Sequence, residues 1–348
     1  MISHVSLHNF RSHQNMSVGF SPKTNVIIGP NGSGKTNIIE AVLMAAQGKS
    51  FRSPDNAVIR HGETITKMKI ETDERERAME LRLQPSGQAD KTFVVDDKQL
   101  KRLSFHKTLP VVLFEPNFMS IIARGPDARR DYIDTLLARI EPEYQHSLNA
   151  YRRTLAQRNS LLKQLQPVTD QLFVWDITLA ELAGKLVAKR LQLVEKLNTL
   201  LGEMYSQIAG VPHEVAVMYA TNLNTGDYTN NLIKGLQANV KKDRDYGFTS
   251  LGPHRDDFHF FINHQPAANT ASRGENRTLL LALKIMEAEL VEQARGHKPL
   301  LLLDDVFSEL DETRQAKLVE YFIDNQVIIT STTITPLLKG VSGEIIEL

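Results

Sequence analysis

Residues 25–42 read NVIIGPNGSGKTNIIEAV. Gly29 and, five positions on, Gly34-Lys35-Thr36 give the spacing of a phosphate-binding loop. Glycines let the backbone wrap until successive N–H groups face one point, where phosphate oxygens can sit. Lys35 is then placed to reach the β- and γ-phosphates of a nucleotide, and the Thr36 hydroxyl to bind Mg²⁺. The whole candidate cradle is Gly29, Pro30, Asn31, Gly32, Ser33, Gly34, Lys35, Thr36 and Asn37. The plainer alternative is a Gly-rich turn with a surface lysine. An apolar run at 26–28 and an apolar helical pattern at 38–46 favour the phosphate reading, because they aim a helix N-terminus at the loop.

A second stretch, PLLLLDDVFSELDETR, carries four leucines into Asp304 and Asp305. A buried strand ending in acids is where a phosphate-loop fold keeps its metal carboxylate. Asp304 is expected to hold Mg²⁺ through water, and Asp305 to polarise an attacking water. Alone, the pair reads equally well as the end of a strand. A third stretch, NTASRGENRTLLLALKIMEAELV, opens with Ser272 and Gly274 at the mouth of an apolar helix. Leu279, Leu283, Met286 and Leu290 fall on one stripe. Ser272 can cap that helix and still offer its hydroxyl, while Gly274 lets a phosphate come near the backbone.

The elements that must position these residues fall into three textures. Residues 1–118 alternate short apolar runs with turns, as in NVIIG, TKMKIET, MELRLQ and KTFVVDD, and read as strands. Residues 126–209 are almost free of glycine and step by threes and fours, which predicts a helix followed by a helical hairpin, its longer arms about 35 to 50 Å. Pro142 and Pro167 are expected breaks. From about 245, strand and turn return and then alternate with helices, the pattern of parallel strands with crossovers. The expected division is 1–120 and 241–348 as one split α/β domain, with a mainly helical lobe at 121–240 inserted into it.

Composition narrows the class. The chain has 348 residues, 41% hydrophobic and 24% charged, with a formal net charge of zero, so it can bury a core and is no polycation. With no cysteine, disulfides, thiolate metal sites and thiol nucleophiles are excluded. There is no Asn-Lys-x-Asp guanine motif and no His/Glu cluster at helical spacing; His106, His213, His254 and His259 are scattered and read as surface or turn residues. The N-terminal stretch lacks the apolar core of a signal peptide, and no apolar run approaches the ~20 residues of a membrane span, so a cytoplasmic protein with no membrane partner is expected.

Phosphate loop, Ser-x-Gly helix mouth, acidic strand and SELD occur in the order found in ABC-type ATPases. LHNFRSH, GPNGSGKTNIIEA, VLFEPNFMSIIARGPDARRDYID, SLGPHRDDF and LLLDDVFSELDETRQAKL together resemble the SMC-like group, and within it the bacterial RecF family, over essentially the whole chain. The resemblance implies an α/β fold: an ABC-type P-loop ATPase head, with a RecA-like core plus an antiparallel β subdomain, and an inserted α-helical lobe. It implies ATP and Mg²⁺ as cofactors. Ser272 and Gly274 would meet the γ-phosphate of a second copy, Ser308, Glu309, Leu310 and Asp311 would cross the dimer interface, and Arg11 would approach the nucleotide phosphates.

It further implies an ATP-dependent homodimer on double-stranded DNA, near junctions of single- and double-stranded DNA at gaps. RecR would be its partner, with RecO and RecA in the same pathway, and weak ATP hydrolysis would release the dimer. Alternatives are a head of another SMC-like protein, for which the insert is too short, an ABC transporter subunit, and a scaffold with a purely structural loop. The chain departs from the group in three places: Glu275 stands where a glutamine is expected, Asp305 where many ABC ATPases have a glutamate, and Thr330–Thr333 where many have a histidine. Glu115 or Asn117 stands near the place of a metal-sensing glutamine. The clusters Arg124/Arg129/Arg130, Arg152/Arg153, Lys189/Arg190 and Lys241/Lys242/Arg244 are candidate DNA contacts, although a solvated helix face explains any one pair better than DNA does.

Overall fold

The computed structural model describes every residue except 74, 117, 119, 120 and 165–168. Asn117 and Pro167 therefore lie outside the described residues. The chain divides into two compact units, Met1–Met119 with Glu287–Leu348, and Ser120–Met286.

The first unit opens with β1 (Ile2–Phe10) and β2 (His13–Gly19), a hairpin. β3 (Thr24–Ile28) and α1 (Lys35–Gln47) follow, then β4 (Ile65–Thr72), β5 (Glu76–Leu83), β6 (Ala89–Val95), β7 (Lys98–Leu100) and β8 (Val111–Phe114). Six of these strands form an antiparallel sheet in the order β2-β1-β4-β5-β6-β7. The four strands expected from NVIIG to KTFVVDD are all present. α1 packs on strands of two sheets and buries residues from Ile38 to Ala46 on every side. A helix without a polar face belongs in such a sandwich.

The second unit contains α2 (Pro126–Ile140), α3 (Tyr144–Leu162), α4 (Thr169–Ala209), β9 (Val215–Ala220), α5 (Tyr228–Ala238), α6 (Val240–Tyr246), β10 (Asp257–Ile262), β11 (Gln265–Pro266) and α7 (Ala267–Thr270). α8 (Arg273–Arg295) begins in this unit, and the unit boundary falls within it. Pro142 lies between α2 and α3, as expected. The 41 residues of α4 run about 60 Å, longer than the spacing arguments allowed, because no proline or glycine cap interrupts them. The unit is also less purely helical than expected: β11-β10-β9 form an antiparallel sheet. Residue 240, where a boundary was expected, starts α6 inside this unit, and the β9–β10 pairing ties residues beyond it to those before it.

The stretch SLGPHRDDF holds this unit together. Gly252 has φ 125°, and a Cβ there would stand 2.7 Å from the Tyr151 hydroxyl, so only glycine fits. That hydroxyl donates to His254 Nδ1 at 2.6 Å, and His254 Nε2 donates to the Thr249 carbonyl at 3.1 Å. Burial drives the imidazole pKa down to about 4. His254 thus sits in a turn, one of the two places expected of the scattered histidines, but as a half-buried structural group that burial holds towards its neutral form. Asp256 accepts from Tyr219 and Tyr228, and Asp257 takes a two-pronged bond from Arg129 at 2.9 and 2.7 Å. Arg190, 2% exposed, grips Asp134 with two bonds of 3.0 Å and donates to the Pro253 carbonyl at 2.7 Å. Arg158, fully buried, bonds Asp176 at 2.6 Å and Asp243 at 2.8 Å. Removing one partner from such a pair costs about 3 to 5 kcal/mol, since the other charge stays buried.

After α8 the chain returns to the first unit with β12 (Leu300–Asp304), α9 (Glu312–Tyr321), β13 (Val327–Ser331), α10 (Pro336–Val341) and β14 (Ser342–Glu347). With β3 and β8 these strands make a five-stranded sheet, β14-β3-β13-β12-β8, in which every pairing is parallel. β8, β12 and β13 are buried at every position, which is why they read as continuous apolar runs.

Candidate functional site

The phosphate-loop residues leave β3 at its C-terminal end and enter α1, whose cap is Gly34 at φ 99°. At Gly34 a Cβ would overlap the ring of His13, and at Gly29 it would stand 2.7 Å from Ser33 Oγ and 3.0 Å from the Leu348 carbonyl. Both positions exclude a side chain. Lys35 is 8% exposed, and its ammonium donates to the carbonyls of Gly29 at 2.6 Å and Pro30 at 2.9 Å, across the loop. Ser33 Oγ is buried without a hydrogen-bond partner. An orphaned hydroxyl beside a captured ammonium and a helix N-terminus suits a phosphate group.

β12 and β13 bring the acids to the same edge. Asp304 pairs in register with Thr330, and Thr330 with Ile27, so the ends of three parallel strands align. Asp304 Oδ1 accepts from Thr36 Oγ1 and from Thr330 Oγ1, each at 2.8 Å. Burial pushes the Asp304 carboxyl above the usual carboxylate range, while those two bonds and the charge of Arg52 pull against it. Asp305 adopts φ 51°, a left-handed conformation that aspartate tolerates better than most residues. Its N–H donates to Thr330 Oγ1 at 3.0 Å, and its carbonyl accepts from Ser308 Oγ at 2.7 Å. Among the described residues no cluster of three His, Asp or Glu side chains offers a closed metal cage. The hard oxygens of Thr36 and Asp304 fit a Mg²⁺ whose other ligands are phosphate oxygens and water.

Beside the loop lies a cluster that sequence reasoning missed. Glu40 is fully buried on α1 and accepts from Arg11 at 2.9 and 2.6 Å, from Arg52 at 3.1 and 2.7 Å, and from Ser50 at 2.6 Å. Burial raises its pKa, but the bonds from Arg11, Arg52 and Ser50 outweigh that and hold it below the usual range. Arg52 also donates to Asn37 Oδ1 at 2.6 Å. Arg11, expected near phosphates, spends its guanidinium on Glu40, Ser53 and the Ala57 carbonyl. The signal was available: an acid inside the apolar run IIEAV needs cationic partners. Thr330 was visible only as standing where many ABC-type ATPases have a histidine; its bond to Asp304 comes from strand register.

Ser272 and Gly274 belong to the second unit, at the mouth of α8. The Ser272 N–H donates to Glu275 Oε2 at 2.8 Å, and the Glu275 N–H donates to Ser272 Oγ at 3.2 Å. This is a capping box. The Glu275 carboxylate is turned onto the Ser272 backbone, and that hydrogen bond lowers its pKa. Asp311 caps α9, accepting the Arg314 N–H at 2.9 Å, and forms an ion pair with the Arg314 side chain. Glu115 directly follows β8. Several cations expected on a DNA surface have other work. Arg129, Arg130 and Arg190 are committed to Asp257, Asp127 and Asp134, and Lys189 pairs with Glu141.

The model of the RecF/RecN/SMC N terminal domain matches residues 1–341. A DNA replication and repair protein RecF from Lachnoclostridium phytofermentans is 36% identical over 339 residues, covering 95% of this chain and 92% of that protein. One from Streptococcus uberis is 36% identical over 344 residues, covering 97% and 94%. The solved recombination mediator protein RecF-ATP in the RecFOR pathway superposes with TM-score 0.87 at 29% identity, covering 96% of this chain and 92% of that one. An Smc head bound to the C-winged helix domain of ScpA gives TM-score 0.54 at 16% identity, a likeness of fold alone. A parallel sheet with a phosphate loop and an acidic strand end, joined to an antiparallel sheet and carrying a helix-rich insertion, is the head of an ABC-type ATPase. Within that class the chain belongs to the RecF family.

Proposed function

We propose that the protein is an ATP-driven DNA clamp of recombinational repair. The observation that carries this reading is the Thr36–Asp304–Thr330 cluster at the strand edge, below a loop whose ammonium and orphaned Ser33 hydroxyl await a charged group. ATP would lie along residues 29–37, with Lys35 leaving the loop carbonyls for the β- and γ-phosphates. Thr36 and Asp304 would hold Mg²⁺, which when bound screens phosphate charge and offsets the burial of Asp304. Asp305, pinned by Thr330 and Ser308, would orient the attacking water. Its short side chain fits slow hydrolysis.

Ser272 and Gly274 would meet the γ-phosphate of a second copy, with Asp311 near the same interface. ATP then stabilises the homodimer, because it binds the closed pair in preference to single chains. Kinship with RecF, and with a RecF-ATP structure of the RecFOR pathway, supports a dimer on double-stranded DNA beside single-strand gaps. There it would act with RecR, and with RecO, in loading RecA. Lys35→Ala tests the mechanism: ATP-dependent dimerisation and DNA binding should both disappear, measured by sedimentation and by duplex anisotropy. Their survival would mean that the loop is only structural.

A further inference from the structure

Glu40 stands among residues that should exclude it. Ile38, Ile39, Ala41 and Val42 flank it along α1, and Glu40 like them has no exposed surface. A carboxylate there stays ionised only if cations come to it. Two do, each from a loop: Arg11 from the turn between β1 and β2, and Arg52 from the segment that follows α1. Their side chains remain 21% and 33% exposed, so the acid lies beneath and the guanidiniums stand towards the surface. Arg11 has a left-handed backbone, φ 52°, which residues with a side chain rarely adopt unless their contacts hold them there.

The same turn reaches the phosphate loop. Asn37 Nδ2 donates to Ser12 Oγ at 2.9 Å, His13 Nε2 donates to the Gly34 carbonyl at 3.3 Å, and Arg52 closes the circuit on Asn37 Oδ1 at 2.6 Å. Thr36, the neighbour of Asn37, donates to Asp304. Burial works against the charge of Asp304; the bonds from Thr330 and Thr36 and, through space, the charge of Arg52 favour it. On and beside the loop, Lys35, Arg11 and Arg52 are thus matched by Glu40, Asp304 and Asp305. Glu40 is the acid that keeps this balance without facing the loop itself: all its printed partners are Arg11, Arg52 and the hydroxyls of Ser50 and Ser53. Without it, two guanidiniums would be released beside the loop, each able to grip a phosphate or a carboxylate with two parallel bonds.

We propose that Glu40 is a positioning residue that makes the site selective for a nucleotide carrying its metal: by holding Arg11 and Arg52, it leaves the charge of the phosphates and of Asp304 to be covered by Mg²⁺. Released arginines would cover those charges themselves, and the site would then accept the metal-free nucleotide, which carries more negative charge. A Glu40 that merely supported α1 and the turn would act differently, since its loss would weaken both forms of the nucleotide alike. The inference rests on the reading that residues 29–37 hold ATP. It adds which form of ATP the site takes and the residue that decides it.

The test is the affinity of the full chain for mant-ATP, a fluorescent ATP analogue, measured with excess Mg²⁺ and again with EDTA, with thermal melts alongside. The wild type should prefer the metal-bound form. Glu40→Gln should cut that preference about tenfold, the effect of one added positive charge beside a partly buried anion. Arg52→Gln, at a side chain one-third exposed, should raise the preference instead. Combining the two substitutions restores the wild-type charge balance and should bring the preference back, and Glu40→Asp should keep it. A wild type that binds both forms alike overturns the proposal. So does an unchanged preference in Glu40→Gln, or a shift in the same direction in both single variants; Glu40 is then a structural acid only. Should Glu40→Gln melt below the assay temperature, Arg52→Gln decides, and an unchanged or lowered preference there overturns the proposal. A wild type that binds the analogue under neither condition would instead sink the ATP reading on which the inference rests.

Discussion

At Thr330 one hydroxyl serves two acids: it donates to Asp304 and receives the N–H of Asp305. VIITSTTIT places Thr330 only where related ATPases have a histidine, and not its contact to Asp304, which spans 26 positions and depends on strand register. Asp305 was legible by its place after the strand, but its left-handed backbone was not. Asp305→Asn tolerates that conformation, so it should keep ATP binding while slowing hydrolysis and lengthening the DNA-bound lifetime. Turnover equal to wild type would remove Asp305 as the catalytic carboxylate. His254 offers a second residue-scale test. Its folded pKa of about 4 lies below the ordinary 6.5, so the neutral form is the one the fold favours. Its contribution to stability is therefore complete above pH 6.5 and is lost as the pH falls from 6.5 towards 4, by about 1.4 kcal/mol per unit. The stability gap between wild type and His254→Gln should shrink between pH 7 and pH 5 in thermal melts. A constant gap would mean that the imidazole is not held neutral.

At the scale of elements, the candidate site residues lie at helix mouths and strand ends. The mouth of α8 is a reciprocal cap in which Glu275 serves the backbone of Ser272, so its charge is already engaged within the helix. Ser272→Ala removes the cap at a cost of about 1 kcal/mol. It should lower the melting temperature modestly and reduce ATP-dependent dimerisation sharply. A fall in stability with intact dimerisation would leave Ser272 as a cap alone. The S-x-x-E spacing is visible in SRGE, although by sequence Glu275 registers only as a departure from an expected glutamine. Periodicity served well where one neighbour dominates, as in β3 to β6, α1 and α8. It underestimated α4 and overlooked β9, whose identity as a strand comes from pairing with β10, about 40 residues later in the chain.

For the whole molecule, zero net charge conceals an uneven distribution. Arg129 and Arg190, candidate DNA contacts by sequence, hold the second unit together, and no linear count of Lys and Arg separates a buried cation from a solvated one. Among the described residues no helix is long and apolar enough to cross a membrane. With a non-hydrolysable ATP analogue the protein should sediment as a dimer and bind duplex DNA, and with ADP it should do neither. Duplex affinity should fall steeply with salt, as phosphate contacts are lost to counterions. A single-chain species in both nucleotide states would rule out the clamp.

The sequence by itself determined the phosphate loop, the acidic strand and the family, because each is a local pattern in which neighbouring residues meet the same ligand or the same sheet. Tertiary structure alone decided that Thr330 joins Asp304, that Glu40 binds Arg11 and Arg52, and that SLGPHRDDF is a structural keystone. It also decided which cations remain exposed. These depend on contacts between residues far apart in the chain, where burial and register, not residue type, decide what each charge and hydroxyl can do.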